Sequence, residues 1–266
     1  MDILSHTFSG LAVGAALMPF SKKGLKSKLT ILLLSGFAGF LPDVDAISYW
    51  SGFDSTFGNW FNLDFSGVKI YHDKRWFSHH GLFHSLLMAF ILCGVIFLVS
   101  YLFHLKKMKQ IVWREEILVY ISVFVAFNAH LLEDMITPEF VWGGVAYLFP
   151  SEDYWGGTGE IWWWNNYDLF LIIFLTFVLN VLASVTFKVF SLKWKWTGVG
   201  VFCIGAFLFM YQLKTRPVNF QYKSYSEHHE VWQTNERLSK AIQREILGND
   251  LYEFMEKIDN EIPFWF

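Results

Sequence analysis

The feature that most constrains this chain is a series of six apolar segments. Three of them approach the roughly 20 residues that a helix needs to cross a bilayer, and a fourth is slightly shorter. The two segments nearest the N-terminus hold only about 14 residues each, so they either cross with help from their neighbours or enter partway. The segments are 7–20, 29–42, 83–103, 117–132, 169–187 and 197–213. They predict a bundle of about six membrane helices.

Composition supports the same conclusion. Hydrophobic residues make up 54% of the chain and aromatic residues 20%, whereas charged residues make up 17%, which is unlike a soluble domain. We therefore expect an all-α, polytopic membrane domain over residues 1–213. The tail, 214–266, is polar and carries apolar residues at helical spacing, which predicts one or two amphipathic helices. This tail either lies on the outer membrane surface, caps a site or extends into solvent.

Lysine and arginine residues give the orientation, because short loops rich in them stay on the cytoplasmic side. The connections 21–28, 104–116 and 188–196 hold eleven of these residues, whereas the alternate connections 43–82 and 135–168 hold three. The first set is therefore predicted to be cytoplasmic. The N-terminus, the alternate connections and the tail are predicted to lie outside.

This topology brings ionisable residues from distant parts of the sequence to one membrane face. They begin or end the apolar segments, and all of them fall at the outer ends. The residues are His6, Asp43, Asp45, His79, His80, His84, His130, Asp134 and Asp168. Because the orientation was derived from lysine and arginine alone, their convergence is an independent observation.

Such a set has the composition of a hydrolytic metal centre. Imidazole and carboxylate ligands suit zinc or manganese, and a pair of divalent ions needs roughly six to eight of them. In the segment HLLED, His130 and Asp134 are four residues apart and lie on one helix face. Alternatively, Asp43, Asp45 and Asp134 merely end helices at the water boundary. Carboxylates near a membrane are costly and tend to mark function, so the whole set favours a metal centre.

Three histidines precede the third segment, and their spacing allows two arrangements. His80 and His84 share a helix face, whereas His79 and His84 lie about 140° apart around a helix. His79 and His84 can both bind a metal only if the helix begins after Gly81, a residue that can break an earlier helix. A helix that starts earlier, capped by Ser78, would instead pair His80 with His84.

Four sequence blocks follow one another along the first part of the chain: SHTFSG, LPDVD, HHGLFHSLL and HLLEDMITPEFVWGG, the last followed by LFP. In this order they resemble the YdjM-like family of inner-membrane-associated proteins, which are regarded as metal-dependent hydrolases. The resemblance covers roughly residues 1–170. It implies that the metal ligands are His6, Asp43, Asp45, His79, His84, His130 and Asp134.

Two positions depart from the pattern of that family. His80 stands where the family usually has Arg, and Phe83 stands where it usually has Thr. An arginine would suit a phosphate group, so the histidine weakens the inference of phosphate binding. The ligand pattern is also similar to that of zinc-dependent phospholipases C and single-strand zinc nucleases, whose sites use a His-x-x-x-Asp helix.

Together, the residues and the resemblance predict a metal-dependent hydrolase of the inner membrane, with its site facing outward. We expect one or two zinc ions, or manganese, as cofactor. Such an ion lowers the pKa of a water molecule so that it can attack a phosphorus or carbonyl centre. We assign Asp45 to this water and its proton, and His80 to the substrate side. The expected substrate is a lipid-linked phosphoester, because the site lies at headgroup depth.

Two other functions fit parts of the pattern. An amide or ester hydrolase that acts on a lipid would share the zinc chemistry. A non-catalytic metal-binding protein would need polar residues through the bundle, where the apolar segments offer only scattered Asn and Ser. The sequence has no phosphate-cradling glycine loop and no G-x-S-x-G turn, and its basic residues fall in predicted cytoplasmic loops. We therefore expect no nucleic-acid partner.

Overall fold

The structure confirms the predicted all-α membrane architecture. The computed structural model describes residues 1–106, 112–189, 195–216, 218–222 and 225–261. Six helices in these ranges are long and apolar enough to cross a membrane, and the ranges contain no strand. The helices are α1 (Ile3–Leu17), α2 (Leu25–Phe40), α3 (Asn59–Phe61), α4 (Gly67–His72), α5 (Leu86–Lys106), α6 (Trp113–Met135), α7 (Tyr167–Val189), α8 (Lys195–Thr215), α9 (Tyr225–Leu247) and α10 (Asn249–Glu261).

Local sequence explains how the first two helices begin and end. Asp2 caps α1, because its Oδ1 accepts a hydrogen bond at 2.9 Å from a backbone N–H of the first turn. At the end of α2, Pro42 has no N–H to continue the α-helical ladder. The chain continues instead as the 3-10 helix Leu41–Tyr49, which carries the carboxylates of LPDVD.

The central helix of the bundle is α1, which packs against α2, α6, α7 and α8. Small residues permit its close contact with α2. A Cβ atom added at Gly10 would lie 2.3 Å from the Ser35 carbonyl oxygen, and one at Gly39 would lie 2.3 Å from the His6 carbonyl oxygen. Membrane helices approach closely where such small residues meet. This contact holds His6 beside the end of α2.

Irregular segments cover one end of the bundle. Two 3-10 helices, Leu41–Tyr49 and Leu82–His84, lie between α2 and α5 together with α3 and α4. The loop 136–166 lies between α6 and α7. Two isolated antiparallel bridges fold that loop back on itself. It shares a buried aromatic cluster with the segment that follows α8. The buried members are Phe140, Trp142, Trp162, Phe220 and Tyr222.

The third membrane helix begins later than its apolar segment. It begins at Leu86, after a series of turns in which His80 has a φ of 65°. The condition for His79 and His84 to face one site, a helix that begins after Gly81, is therefore met.

The tail forms two helices, as its apolar spacing predicts. It packs on the membrane bundle, with α9 against α7. Ser239, Gln243, Tyr252 and Met255 are buried along it. The tail therefore does not extend freely into solvent. The final residues, 262–266, and parts of two predicted cytoplasmic connections, 107–111 and 190–194, lie outside the described ranges. The division of the chain at residue 214 stays a prediction.

Candidate metal centre

The structure brings all seven predicted metal ligands together at one end of the bundle. His6 lies on α1, His130 and Asp134 lie at the end of α6, and the others lie in the turns between α2 and α5. Two groups have ligand atoms close enough to share an ion, with all atoms of a group within 4.8 Å of one another. One group is His6, Asp43, His130 and Asp134, and the other is His79, His80 and His84.

Four ligand atoms converge across these groups: Asp43 Oδ1, His84 Nε2, His130 Nε2 and Asp134 Oδ2. The two Nε2 atoms are 3.2 Å apart. Asp134 Oδ2 lies 2.9 Å from His130 Nε2 and 3.3 Å from His84 Nε2. Asp43 Oδ1 is 3.6 Å from each of these nitrogens. Ligand atoms around a tetrahedral zinc ion are about 3.3 Å apart, because each lies about 2.0–2.1 Å from the metal. The four atoms have this spacing.

Hydrogen bonding indicates that the same place would stabilise a proton or a metal ion. His130 Nδ1 donates to the Gly39 carbonyl oxygen at 2.7 Å, so Nε2 of the neutral ring carries a lone pair. This explains why buried Asp134 Oδ2 has no hydrogen-bond partner although it lies 2.9 Å from that nitrogen. Lone pairs that face each other in a buried space are costly unless a proton or a metal ion lies between them. The donor set therefore fits a divalent ion.

The other imidazoles are held in the same tautomer. A carboxylate or carbonyl oxygen only accepts, so a nitrogen that contacts it carries the proton. Asp45 accepts from His79 Nδ1 at 2.6 Å and from His84 Nδ1 at 3.1 Å. The Gly144 carbonyl oxygen accepts from His80 Nδ1 at 2.9 Å. In its neutral form each ring therefore presents Nε2 as a lone pair, as histidines that bind metals do when their second nitrogen is hydrogen-bonded.

Asp45 differs in position from the other predicted carboxylates. Its two oxygens contact the rings of His79 and His84, whereas Asp43 and Asp134 each place an oxygen among the four converging atoms. In this arrangement Asp45 orients ligands. A direct bond between Asp45 and a metal ion stays a prediction.

His6 joins the centre from α1. Its ring stacks on the His130 ring, with centroids 3.7 Å apart. Its Nδ1 contacts Glu133 Oε2 at 2.8 Å, and its Nε2 lies 3.2 Å from Asp134 Oδ1 and 3.0 Å from the Met1 carbonyl oxygen. Both ring nitrogens therefore face acceptors, which requires either a charged imidazole or an ion at Nε2.

Sequence reasoning missed the groups that hold these ligands in place. Glu133 directly precedes Asp134 in HLLED, and it accepts a hydrogen bond from the Ser9 hydroxyl as well as contacting His6. A carboxylate within a membrane helix is a signal that could have identified it. Gly39 and Gly144 contribute only carbonyl oxygens, for which the sequence carries no signal.

The contacts of His84 and His80 shift their pKa values in opposite directions. Burial alone would lower the pKa of His84, but the Asp45 carboxylate and hydrogen bonds to nearby carboxylates raise it well above its ordinary value. Burial and the neighbouring histidines hold the pKa of His80 well below its ordinary value. His84 thus lies where positive charge is favoured, which a metal ion would supply in place of a proton, whereas His80 stays neutral.

Asp168, which the sequence also placed at the predicted outer ends, does not join the cluster. It forms a buried ion pair with Arg216 and accepts a hydrogen bond from the Gln212 amide at 2.8 Å. Its backbone N–H donates to Gln243 of α9 at 3.1 Å, and Arg216 also donates to Asn166 at 2.9 Å. This network joins the start of α7 to the end of α8 and to the tail.

A cavity of about 320 Å³ opens beside the cluster. The candidate centre forms one wall, and the loop 136–166 and the tail form the other. Its lining includes Asp43, His79, His80, Asp134, Trp163, Trp164, Glu236, Lys240, Asp259 and Asn260. The tail therefore caps the site, which is one of the three arrangements that its sequence allowed.

Six candidate membrane spans with a buried His/Asp cluster at one end define a polytopic α-helical membrane protein with a candidate metal centre. The model of the YdjM inner membrane protein family matches residues 1–218, which include the whole cluster. The chain therefore belongs to the YdjM inner membrane protein family, as the four sequence blocks predicted. Searches of curated proteins and of solved structures returned no match. The family and the six spans agree with a multi-pass protein of the inner membrane.

Proposed function

We propose that this protein is a metal-dependent hydrolase that cleaves a lipid-linked phosphoester at the outer membrane–water interface. The observation that carries the proposal is the convergence of ligand atoms from Asp43, His84, His130 and Asp134 at the spacing of a zinc site. Ligand sets of imidazole and carboxylate are typical of ions that activate water. The adjoining cavity gives a substrate access to this place.

Zinc suits this ligand set, and manganese would accept the same ligands. The four converging residues would hold one ion, with His6 as a further ligand if it releases the Met1 carbonyl oxygen. His84 offers one free nitrogen, Nε2, so it can bind an ion here or together with His79 and His80, but not in both places. When bound, the ion acts as a Lewis acid on the scissile bond and lowers the pKa of water.

The chain's own residues would orient the reactants. His80 lines the cavity and is neutral, with a lone pair on Nε2, so it can accept a hydrogen bond on the substrate side. Asp45 keeps His79 and His84 in the tautomer that presents Nε2. We therefore assign His80 to the substrate side and Asp45 to the orientation of His79 and His84.

The position of the site supports a lipid substrate. The cluster lies at the ends of candidate membrane spans, where lipid headgroups lie. Trp50, Trp60 and Trp76 are exposed in the turns that follow α2, as residues of an interfacial aromatic belt are. The distribution of lysine and arginine predicts that this end faces outward. Phosphoesters of lipids are abundant at that depth.

The direct test is to incubate zinc-loaded protein with a total membrane lipid extract and to compare the products by mass spectrometry. We expect the wild-type protein to release a phosphorus-containing product in a chelator-sensitive reaction. The Asp43→Asn variant should lose this activity. Asp64→Asn is the matched control, because it changes an exposed carboxylate outside both candidate groups, and it should keep the activity.

Other outcomes would point to other functions. Release of a fatty acid without a phosphorus-containing product would indicate an amide or ester hydrolase. An unchanged extract with every divalent ion would indicate a non-catalytic metal-binding protein. Activity that persists in Asp43→Asn would contradict the assignment of the site.

A further inference from the structure

The cavity beside the candidate metal centre has two unlike walls. The wall away from the centre is lined by Trp163, Trp164, Glu236 and Lys240 of α9, and Asp259 of α10. The volume of about 320 Å³ lies at the lower end of the range for ligand pockets, roughly 300–1,000 Å³. The cavity therefore has room for a lipid headgroup but not for the acyl chains.

The tail wall carries more carboxylates than cations. Glu236 and Asp259 line it, Asp2 at the start of α1 lines the same cavity and acts on the Asp259 charge, and Lys240 is the cationic side chain among the lining residues. Lys240 Nζ lies 3.1 Å from Glu236 Oε1, so these two side chains neutralise each other. The N-terminal amine lies 3.0 Å from Asp134 Oδ1 and is neutralised there. Asp2 and Asp259 leave the cavity beside the tail wall with a net negative charge, which favours a positively charged group.

The negative charge of Asp259 is poorly stabilised in the cavity wall. Burial raises the pKa of the Asp259 carboxyl, even though the Tyr167 hydroxyl donates a hydrogen bond to it at 2.8 Å. Burial raises the pKa of a carboxyl because it disfavours the charged form. A cation bound in the cavity would offset this cost.

Aromatic rings line the same space. Trp163, Trp164 and Tyr71 contribute indole and phenol rings to the lining. The faces of such rings attract ammonium groups, and Trp does so most strongly. On the opposite wall, Asp134 is 3% exposed and its Oδ2 has no hydrogen-bond partner. One wall therefore suits an amine, and the other suits an ion with a phosphate.

We propose that this cavity binds the headgroup of a zwitterionic phosphoester, with its phosphate at the metal centre and its protonated amine at the tail wall. The inference rests on the proposed function and names its substrate class, the lipid phosphoesters of an amino alcohol such as ethanolamine. The amine-binding residues of the tail lie beyond residues 1–218, the part that the family model matches. They would give this chain a specificity that the matched region alone does not carry.

The test compares two soluble phosphodiesters that differ in the amine, glycerophosphoethanolamine and glycerophosphoglycerol. Isothermal titration of the zinc-loaded full chain should give about tenfold tighter binding of glycerophosphoethanolamine. The double variant Glu236→Gln, Asp259→Asn should bind both ligands equally. Glu245→Gln with Glu253→Gln is the matched control, because these exposed carboxylates of α9 and α10 do not line the cavity, and it should keep the preference.

A further variant separates an amine site from a phosphate site. Lys240→Met should strengthen binding of glycerophosphoethanolamine, because it removes the ion-pair partner of Glu236 and leaves that carboxylate free for the amine. Weaker binding would mean that Lys240 holds the phosphate, and this result would overturn the proposal. Equal affinities in the wild-type protein, binding of neither ligand, or a preference that survives the Glu236/Asp259 double variant would also overturn it. Binding requires no turnover, so a failure of lipid hydrolysis remains distinguishable from a failure of this inference.

Discussion

Asp45 is a single carboxylate that sets the tautomer of two imidazoles. Its oxygens accept from His79 Nδ1 and His84 Nδ1, which leaves the Nε2 atoms of the neutral rings as lone pairs. In Asp45→Asn, the amide NH₂ group replaces one acceptor, so one histidine loses this support. We expect the variant to bind zinc about 10- to 100-fold more weakly, as measured by competition with a chromophoric chelator.

Comparison with two other variants distinguishes the roles that Asp45 can have. Asp64→Asn should bind zinc as the wild-type protein does, since Asp64 is exposed and outside both groups. Asp43→Asn should lose far more affinity than Asp45→Asn. If the two variants lose affinity equally, Asp45 is itself a ligand, and if Asp45→Asn binds zinc normally, it has neither role.

At the scale of single residues, the sequence predicted which side chains meet, but not how they are oriented. His130 and Asp134 could be paired from their spacing, because four residues on a helix fix a shared face. The tautomer of His130 depends on the carbonyl oxygen of Gly39, a backbone atom of a distant segment. A sequence pattern holds no information about such an atom, and this is why the partners of the histidines were not predicted.

At the scale of elements, the apolar segments predicted the helices well. A helix within a bilayer must satisfy its own backbone hydrogen bonds, so an apolar segment of sufficient length has few other structures available. The 3-10 helix Leu41–Tyr49 was not predicted, and the sequence left open whether α5 begins before or after Gly81, whereas the structure has its start at Leu86. Both lie in the outer layer, where packing between segments decides the backbone.

The contact between α1 and α2 gives a prediction about an element. Gly39→Ala would bring a methyl group to 2.3 Å from the His6 carbonyl oxygen, so the helices must separate. We expect a loss of about 1–3 kcal/mol in the free energy of unfolding. Thermal unfolding in detergent should show a lower midpoint, together with weaker zinc binding, because Gly39 also holds His130.

Gly94→Ala is the control for this prediction. A Cβ atom at Gly94 of α5 meets nothing within 4 Å, so the substitution should leave the midpoint unchanged or raise it slightly. Equal midpoints for the two variants would show that α1 and α2 do not pack as closely as described.

At the scale of the whole molecule, the orientation in the membrane can be tested. Single cysteines at Lys23 and Glu152, both exposed, would lie on opposite sides of the membrane if the predicted topology is correct. The background would carry Cys93→Ala and Cys203→Ala. A membrane-impermeant thiol reagent should label Glu152→Cys in intact cells, and Lys23→Cys only after lysis. The reverse pattern would move the site to the cytoplasmic side.

The most direct measurement is the metal content of the purified protein. The central claim is that the converging His and Asp residues bind a divalent ion, and His130 and Asp134 each contribute one of the four atoms. Elemental analysis of the wild-type protein should find about one or two equivalents of zinc or manganese. The His130→Ala, Asp134→Ala double variant should retain almost none, at unchanged helix content by circular dichroism. Equal metal content in the two proteins, or near-zero metal in both after growth with zinc, would contradict the account.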